Sequence, residues 1–260
     1  MNARAVWLIA KSVLIEAVRR KEIYTIVLIS TLLIGAVMTV DFFNLDGLTK
    51  FYREIALKVM SIATAMTTIV LAARQLPREF DSRTIYPLMA RPISRAEFLG
   101  GKLLGVMCAA AFCFALFMAV YIIGNLWLQG DFPVALFVQY IYLQLLMMLV
   151  LATLSMWLSL LATFDAAITI GVLFYLLSTT LTTVTMYLYD FVGAIGQKVL
   201  VLMIYLIPQI TLFDLSGKAV HSDKWDPVGI GTMTGITLYG GVYALIYFGL
   251  TLLWFRRRAL

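Results

Sequence analysis

The sequence predicts an all-α polytopic membrane protein with six transmembrane helices. Hydrophobic residues make up 62% of the 260 residues and charged residues only 13%, which is about half the charged share of a typical soluble domain. The apolar residues form runs of roughly 20 residues, the length needed to cross about 30 Å of hydrocarbon. The net charge is +6, and the charged residues lie mostly between these runs. The placement of the basic residues therefore indicates membrane orientation and not nucleic-acid binding.

Residues 3–22 predict an amphipathic helix that lies in the membrane interface ahead of the first span. At 100° per residue, apolar side chains fall on one arc and polar ones on the other. The apolar arc consists of Val6, Trp7, Ile9, Ala10, Val13, Leu14 and Ala17. We therefore expect Trp7 and Val13 at the boundary with the acyl chains, and Lys11 toward water.

Six apolar segments follow, each bounded by charged or polar residues. The predicted spans are 23–43, 55–73, 103–128, 136–162, 166–189 and 228–255. Between the last two spans, residues 190–227 contain an apolar stretch that is short for a span and is interrupted by Pro208. Such stretches are typical of re-entrant or interfacial segments on the outer side. Residues 1–260 are thus expected to form a single transmembrane domain.

The basic residues orient these spans. Of the 20 Lys and Arg residues, five lie in residues 1–22, six in residues 74–102 and three in Arg256–Arg258. Six crossings place all three groups on one side, and short basic segments mark the cytoplasmic side. A seventh crossing would export the terminal arginines. We therefore expect both termini in the cytoplasm, with the protein in the inner or plasma membrane of a bacterium.

The longest charged interval, residues 74–102, separates the second and third spans. Pro77 predicts the start of a short cytoplasmic helix with Glu79, Asp81 and Arg83 on its exposed turns, because proline suits a first helical turn. Ser94 and Glu97 have the spacing of a capping box, in which each side chain accepts a hydrogen bond from the backbone N–H of the other residue. The helix of the third span should therefore begin in the aqueous phase.

One pattern in this interval is specific as a combination. Asp81 is followed by Thr84 and then by the run from Ala90 to Lys102, ARPISRAEFLGGK. This combination resembles the cytoplasmic segment between the second and third membrane helices of ABC-2 type transporter permeases, especially the NosY-like branch. The basic N-terminus, Ile207–Gln209 and the final arginines extend the resemblance along the chain.

The resemblance implies a permease subunit that moves a substrate with ATP hydrolysed by a separate ABC ATPase. It implies two ATPase copies and a second permease copy, as a homodimer, and it makes the interval a coupling helix seated against the ATPase. The residues to which it gives this coupling role are Glu79, Asp81, Arg83, Thr84, Arg91, Pro92, Ser94, Arg95 and Glu97. Without the resemblance, the same interval would be interpreted as a solvated loop.

The chain has no nucleotide-binding or catalytic motif of its own. Neither Gly101-Lys102 nor Gly217-Lys218 has the glycine and Ser/Thr spacing of a phosphate-binding loop. ATP and Mg²⁺ are therefore expected in the partner, and no cofactor, metal or enzymatic activity in this chain. The middles of the spans also lack the ionisable residues that couple ions to substrate in secondary transporters. The alternative function is a scaffold or mechanical transmitter that passes ATPase motion to an extracytoplasmic partner.

Two smaller patterns each allow a functional and a purely structural interpretation. Gly231 and Gly235 have the spacing of a close helix contact, but glycine is also simply tolerated in membrane helices. The Ser and Thr residues of 178–185 could line a polar path, or they could bond to carbonyl groups of their own helix.

Overall fold

The computed structural model describes residues 3–37, 45–81, 94–128, 134–189, 191–220 and 226–257, which contain helices and no β-strand. The helices are α1 (Ala3–Val18), α2 (Lys21–Val37), α3 (Leu45–Asp81), α4 (Arg95–Trp127), α5 (Val134–Leu161), α6 (Phe164–Leu188), α7 (Ala194–Leu206), a 3₁₀ helix (Ile210–Phe213), α8 (Ser216–Val220) and α9 (Ile230–Arg257). The all-α class predicted from the sequence is confirmed for these residues.

Five helical segments in the described part of the chain are long and apolar enough to cross a membrane. These segments are Thr49–Phe80, Arg95–Trp127, Val134–Leu161, Phe164–Leu181 and Ile230–Arg257. α2 contains a shorter apolar stretch, Tyr24–Ala36. The predicted first span, 23–43, continues into residues 38–44, which lie outside the described residues.

α3 and α5 pack against each other at the centre of the bundle, and α4, α6 and α9 also pack against α5. Polar side chains fix the α3–α5 contact. The Tyr140 hydroxyl donates to the Leu57 carbonyl at 3.2 Å, and the Gln144 amide donates to the Ser61 hydroxyl at 3.2 Å. Buried polar groups without partners are costly, so these bonds favour one register of the two helices.

α1 packs along the first turns of α4. Val13 is only 1% exposed, and a Cβ atom at Gly105 would lie 2.6 Å from the Val13 Cβ. A Cβ at Gly101 would similarly lie 2.9 Å from the Ile9 Cβ. The expectation that Val13 contacts acyl chains is therefore wrong, because α4 covers it. Trp7, predicted on the same arc, is 59% exposed.

A close helix contact in the described structure is made by another pair of glycines, Gly101 and Gly105. Among the described residues, no atom of a neighbouring element lies within 4 Å of a Cβ built at Gly231 or Gly235. Gly101 and Gly105 have the same spacing, and the backbone carbonyls of Val6 and Ala10 lie about 3 Å from their added Cβ atoms. Small residues allow such close approach of two helix backbones, which is what brings α1 onto α4.

Residues 191–220, which we call the α6–α9 connection, contact the bundle mainly through the 3₁₀ helix and α8. α7 ends before Pro208, whose ring and missing N–H disfavour continuation of the helix. The Ser178 hydroxyl donates to the Pro208 carbonyl at 2.5 Å and accepts from the Ile210 N–H at 2.8 Å. The Tyr239 hydroxyl accepts from the Gln209 N–H at 2.9 Å.

Two described hydroxyl groups of residues 178–185 follow the structural interpretation, and a third follows neither. Thr179 and Thr180 donate to carbonyl groups of their own helix at 2.9 Å, as the structural interpretation predicts. Ser178 instead satisfies the backbone of the break in the α6–α9 connection. For these three residues, the hydroxyl groups stabilise the fold.

Candidate coupling site at the α3–α4 junction

The predicted coupling residues flank the end of α3 and the start of α4. We call this region the α3–α4 junction, and it comprises Gln75–Asp81, Ser94–Lys102 and the end of α9, Phe255–Arg257. The predicted coupling residues that lie outside the described residues are Arg83, Thr84, Arg91 and Pro92. The remaining ones occupy defined positions at helix ends.

The start of α4 is fixed by the capping box that the sequence predicts. The Ser94 hydroxyl accepts from the Glu97 N–H at 3.2 Å, and a Glu97 carboxylate oxygen accepts from the Ser94 N–H at 2.9 Å. Ser94 has the extended backbone of a helix cap, with φ −72° and ψ 150°. The prediction of this cap is confirmed, and Arg95 is therefore the first residue of α4.

The end of α3 differs from the prediction. The helix runs through Pro77 to Asp81, so the predicted start of a separate short helix at Pro77 is wrong. An internal proline costs about 3 kcal/mol or more, because one backbone hydrogen bond is lost and the ring crowds the preceding turn. Buried Leu76 and the ring contacts of Phe80 offset this cost by holding the last turn in line.

Glu79 forms a buried ion pair with Lys102. The Lys102 Nζ lies 2.5 Å from the Glu79 Oε1, and the Lys102 and Glu79 side chains are 6% and 16% exposed. The same Nζ lies 3.5 Å from the Gln75 Oε1. The expectation that Glu79 occupies an exposed turn is wrong. Its carboxylate holds α3 against α4, and removing one partner of a buried pair costs about 3–5 kcal/mol.

Arg95 joins the start of α4 to the end of α9. Its Nη1 donates to the carbonyl oxygens of Phe255 at 3.2 Å and Arg256 at 2.7 Å. The last carbonyls of a helix have no partners within the helix and carry partial negative charge. A guanidinium group satisfies both requirements, so Arg95 acts as a cap for α9.

One aromatic ring from each of the three helices completes the junction. The Phe255 ring centre lies 6.2 Å from that of Phe80 on α3 and 5.9 Å from that of Phe98 on α4. Phe98 and Phe255 are fully buried. Close-packed interiors transmit displacement because they have little free volume. A force on the end of α3 or the start of α4 would therefore also reach α9.

A model of the family described as "ABC-2 family transporter protein" matches residues 7–260. The chain belongs to the ABC-2 transporter family. No curated protein matches the sequence significantly. Membership identifies the chain as a transmembrane permease component of an ABC transporter, and it implies association with an ABC ATPase.

The ABC-2 permease has a second set of long-range contacts toward the other end of α3. The Lys58 Nζ lies 2.5 Å from the Asp214 Oδ2, and the Asp214 Oδ1 accepts from the Ser216 N–H at 3.0 Å. Burial alone would raise the pKa of Asp214, but hydrogen bonds from Lys58 and Ser216 lower it below its ordinary value. Lys58 thereby attaches the α6–α9 connection to α3.

Two contacts of the permease junction were not predicted from the sequence, and only one of them has a sequence signal. Lys102 is a lone cation at the start of an apolar run, which signals that an acidic partner is needed. Glu79, in the same charged interval, is that partner. The acceptors of Arg95 are backbone carbonyls of Phe255 and Arg256. Every residue has a carbonyl group, so the sequence carries no signal for that contact.

Proposed function

We propose that this permease moves a substrate across the membrane in a complex of two permease copies and two ABC ATPase copies. The ATPase, which holds ATP and Mg²⁺, docks on residues 79–97. The observation that carries the proposal is the bond from Arg95 to the end of α9, beside the Glu79–Lys102 pair. Through these bonds, one docking segment acts on three membrane-capable helices, and closure of the ATPases re-packs them between inward and outward arrangements.

The proposed topology follows the charge distribution. Six spans, 23–43, 55–73, 103–128, 136–162, 166–189 and 228–255, leave both termini and the α3–α4 junction in the cytoplasm. Residues 190–227 then lie on the outer side as a re-entrant or interfacial segment. α1 lies at the cytoplasmic interface with one face on α4. The ARPISRAEFLGGK run supports placement in the NosY-like branch.

The proposal is tested by measuring whether ATP binding moves α9 through Arg95. A spin label at the exposed Leu238 of α9, in a chain with Cys108 and Cys113 replaced by alanine, reports the distance between the two permease copies. Trapping the ATPases in the ATP-bound state should change this distance by several ångströms. Arg95→Gln should reduce the change while ATPase co-purification is retained, because the end of α9 loses its polar bonds to α4 and keeps the ring contacts of Phe255.

Arg257→Gln is the matched control, because it removes one exposed positive charge from the same helix end without touching the Arg95 bonds. It should respond to ATP like the parent chain. An unchanged distance response in Arg95→Gln would contradict transmission through this bond. Glu79→Lys is not a suitable test, since it places a second ammonium group beside Lys102 in a buried site.

The second candidate function is the mechanical transmitter, in which no substrate crosses. It is favoured by the attachment of the α6–α9 connection to α3 through Lys58, to α6 through Ser178 and to α9 through Tyr239. Helix movement would be delivered to this connection and to a partner bound there. Stable co-purification of an extracytoplasmic protein that is lost when Asp214 is replaced, with no substrate-stimulated ATPase activity, would favour the transmitter over the transporter.

A further inference from the structure

Arg53 is a buried cation inside the membrane-capable part of α3. The residue is 5% exposed. The apolar segment of α3 begins at Thr49, so Arg53 lies four residues, or roughly 6 Å, inside it. In the proposed topology this is the outer end of α3, opposite to the α3–α4 junction. Ionisable residues inside membrane helices are uncommon, and they are typical of substrate and ion pathways.

The described contacts of the Arg53 guanidinium have uncharged partners. Its Nε donates to the Asn125 Oδ1, near the end of α4, at 2.9 Å. Its Nη2 is buried and has no hydrogen-bond partner within the described part of the chain. No ion pair among the described residues includes Arg53, and the neighbouring Glu54 is exposed. By contrast, Lys58 and Lys102 each lie 2.5 Å from a carboxylate oxygen.

A purely structural role does not explain this arrangement of Arg53. A guanidinium group stays charged, and its five donors are held in a rigid plane. It is costly to bury such a charge without a counter-ion and a donor without an acceptor. The carboxyl end of α4 carries partial negative charge that offsets some of this cost, but it supplies no acceptor for the Arg53 Nη2. An oxyanion would supply both the charge and the acceptor.

The contact of α3 with α4 near Arg53 is made by uncharged partners. The Tyr52 and Tyr121 rings stack with their centres 6.2 Å apart, and the Tyr52 hydroxyl donates to the Tyr121 carbonyl oxygen at 3.2 Å. At the other end of the same two helices, Glu79 and Lys102 form an ion pair that is largely buried. The two helices therefore separate more readily beside Arg53 than at the α3–α4 junction.

We propose that Arg53 binds a carboxylate or phosphate group of the transported substrate when the outer ends of α3 and α4 separate. The planar donors of a guanidinium group match two oxygen atoms of such an anion. The anion would replace Asn125 on the Nε and would provide the acceptor for the Nη2. In the arrangement described here, Asn125 covers the guanidinium and the site is closed. The inference rests on the proposed transport function and adds the class of substrate, which is an anion.

The first test measures anion binding by the purified full-length chain in a neutral detergent, without the ATPase. Methyl phosphate and acetate are the probes, and sodium chloride at equal ionic strength is the reference. A ligand of the folded state raises the melting temperature, so about 50 mM of a probe should raise that of the parent chain by roughly 2–5 °C over chloride. Arg53→Gln should remove this increase. Arg53→Lys, which keeps the charge without the planar donors, should retain part of it.

The melting temperature without a probe separates this role from a structural one. Arg53→Gln should melt at or above the temperature of the parent chain, because a buried charge without a counter-ion is removed. If Arg53 instead serves as a structural partner of Asn125, Arg53→Gln should melt several degrees lower, and this result would overturn the proposal. The matched control is Lys198→Gln, which removes one exposed charge from α7 and should retain the response to the probes.

Binding by the permease–ATPase complex tests whether the site belongs to the transport cycle. The Arg53-dependent affinity for methyl phosphate should differ by at least about fivefold between nucleotide-free and ATP-trapped complexes, because a transport site changes its affinity between the two arrangements. Equal affinities in a complex whose Leu238 label distance does change would show a fixed anion site. That result would overturn the assignment of the substrate class.

Three further results would overturn the proposal. Equal probe responses in the parent chain and in Arg53→Gln would place the bound anion elsewhere. Loss of the response in Lys198→Gln would show that total charge attracts the probe. Arg53-dependent stabilisation by phosphatidylglycerol over phosphatidylcholine, with none by methyl phosphate or acetate, would show a lipid headgroup site. Failure of the Leu238 distance experiment would leave the response of the purified chain unaffected, so the two proposals fail separately.

Discussion

The α3–α4 junction and the α6–α9 connection lie at different positions along the same helices. The contacts that stabilise the two regions differ in kind. At the junction, helix ends bind one another through the buried Glu79–Lys102 pair and through Arg95 on the carbonyls of α9. At the connection, single side chains such as Lys58 and Ser178 bind a segment with interrupted helical structure.

This difference indicates which region can move as a unit and which can change its own structure. At the junction, several contacts must break together before one helix end moves without the others. At the connection, each helix contributes few bonds, so a rearrangement of the connection breaks few of its contacts with the helices. Lys58 and Glu79 lie 21 residues apart on α3, or roughly 32 Å at 1.5 Å per residue. That is about the thickness of the hydrocarbon layer, so α3 is long enough to link the two regions across a membrane. α9 contacts both regions as well, through Tyr239 and Phe255.

The largest expected effect comes from removing one charge of the junction pair. Lys102→Met should lower the free energy of unfolding by about 3–5 kcal/mol, because it removes one partner of a pair in which both side chains are largely buried. Lys58→Met should cost less than about 1 kcal/mol. The Lys58 side chain is 59% exposed, so its charge is screened by solvent, and the largely buried Asp214 carboxylate keeps its bond from the Ser216 N–H. Unfolding in mixed detergent micelles measures both.

The double variant Glu79→Gln/Lys102→Met is the internal control. It should recover much of the lost stability, since neither charge is then left without a partner. The contrast between the two regions would fail if Lys58→Met were as costly as Lys102→Met, or if the double variant were no more stable than Lys102→Met alone.

A smaller effect is expected at two glycines that lie near these regions, Gly105 on α4 and Gly240 on α9. Gly105→Ala places a methyl group 2.6 Å from the Val13 Cβ and 2.9 Å from the Ala10 carbonyl oxygen. The backbone of α1 cannot yield as a flexible side chain can, so we expect a loss of about 1–3 kcal/mol. Gly240→Ala, on the side of the connection, meets side-chain atoms only and should cost less. Thermal unfolding of the two variants in the same detergent gives the comparison.

Gly231→Ala calibrates that measurement, because no described residue of a neighbouring element lies within 4 Å of its added Cβ. Replacing a helical glycine by alanine in open space is expected to stabilise by up to about 1 kcal/mol. Equal costs at Gly105 and Gly240 would mean that α1 is free to shift on α4, contrary to the close packing of these two helices described above.

The smallest effect concerns acid. The lowered pKa of Asp214 means that its bond to Lys58 stabilises the connection at neutral pH. This contribution, under about 1 kcal/mol, should be lost as the pH falls below the ordinary aspartate value of about 4 and through the lowered pKa. A spin label at Leu212 should become more mobile in acid. Lys58→Met should reduce this pH dependence, whereas an unchanged response would assign the titration to another group.

Local patterns in this sequence predict local structure. They predict less about contacts between residues that are far apart in the chain. The Ser94–Glu97 cap is confirmed because its partners are three residues apart and form it without help from other helices. The start of a helix at Pro77 was a wrong prediction, because burial of Leu76 and Phe80 stabilises continuation of α3 despite the proline.

The same limit explains the errors over burial. The periodicity of residues 3–22 predicts that Val13 is covered, but an apolar arc carries no information on whether lipid or protein covers it. Glu79 was predicted to be exposed because its partner, Lys102, is 23 residues away on another helix. The family was suggested by the ARPISRAEFLGGK run, since a coupling motif is short and continuous in the chain.

The central claim is that the ATPase acts on residues 79–97, and photo-cross-linking tests it most directly. A photo-reactive side chain is placed at Arg83 in one chain and at Asp165 in another, each expressed with the ATPase and irradiated with and without ATP. We predict a permease–ATPase cross-link from position 83, stronger when ATP is bound, and little from position 165. A cross-link from position 165 and none from position 83 would contradict the account, and residues 79–97 would then have no part in ATPase docking.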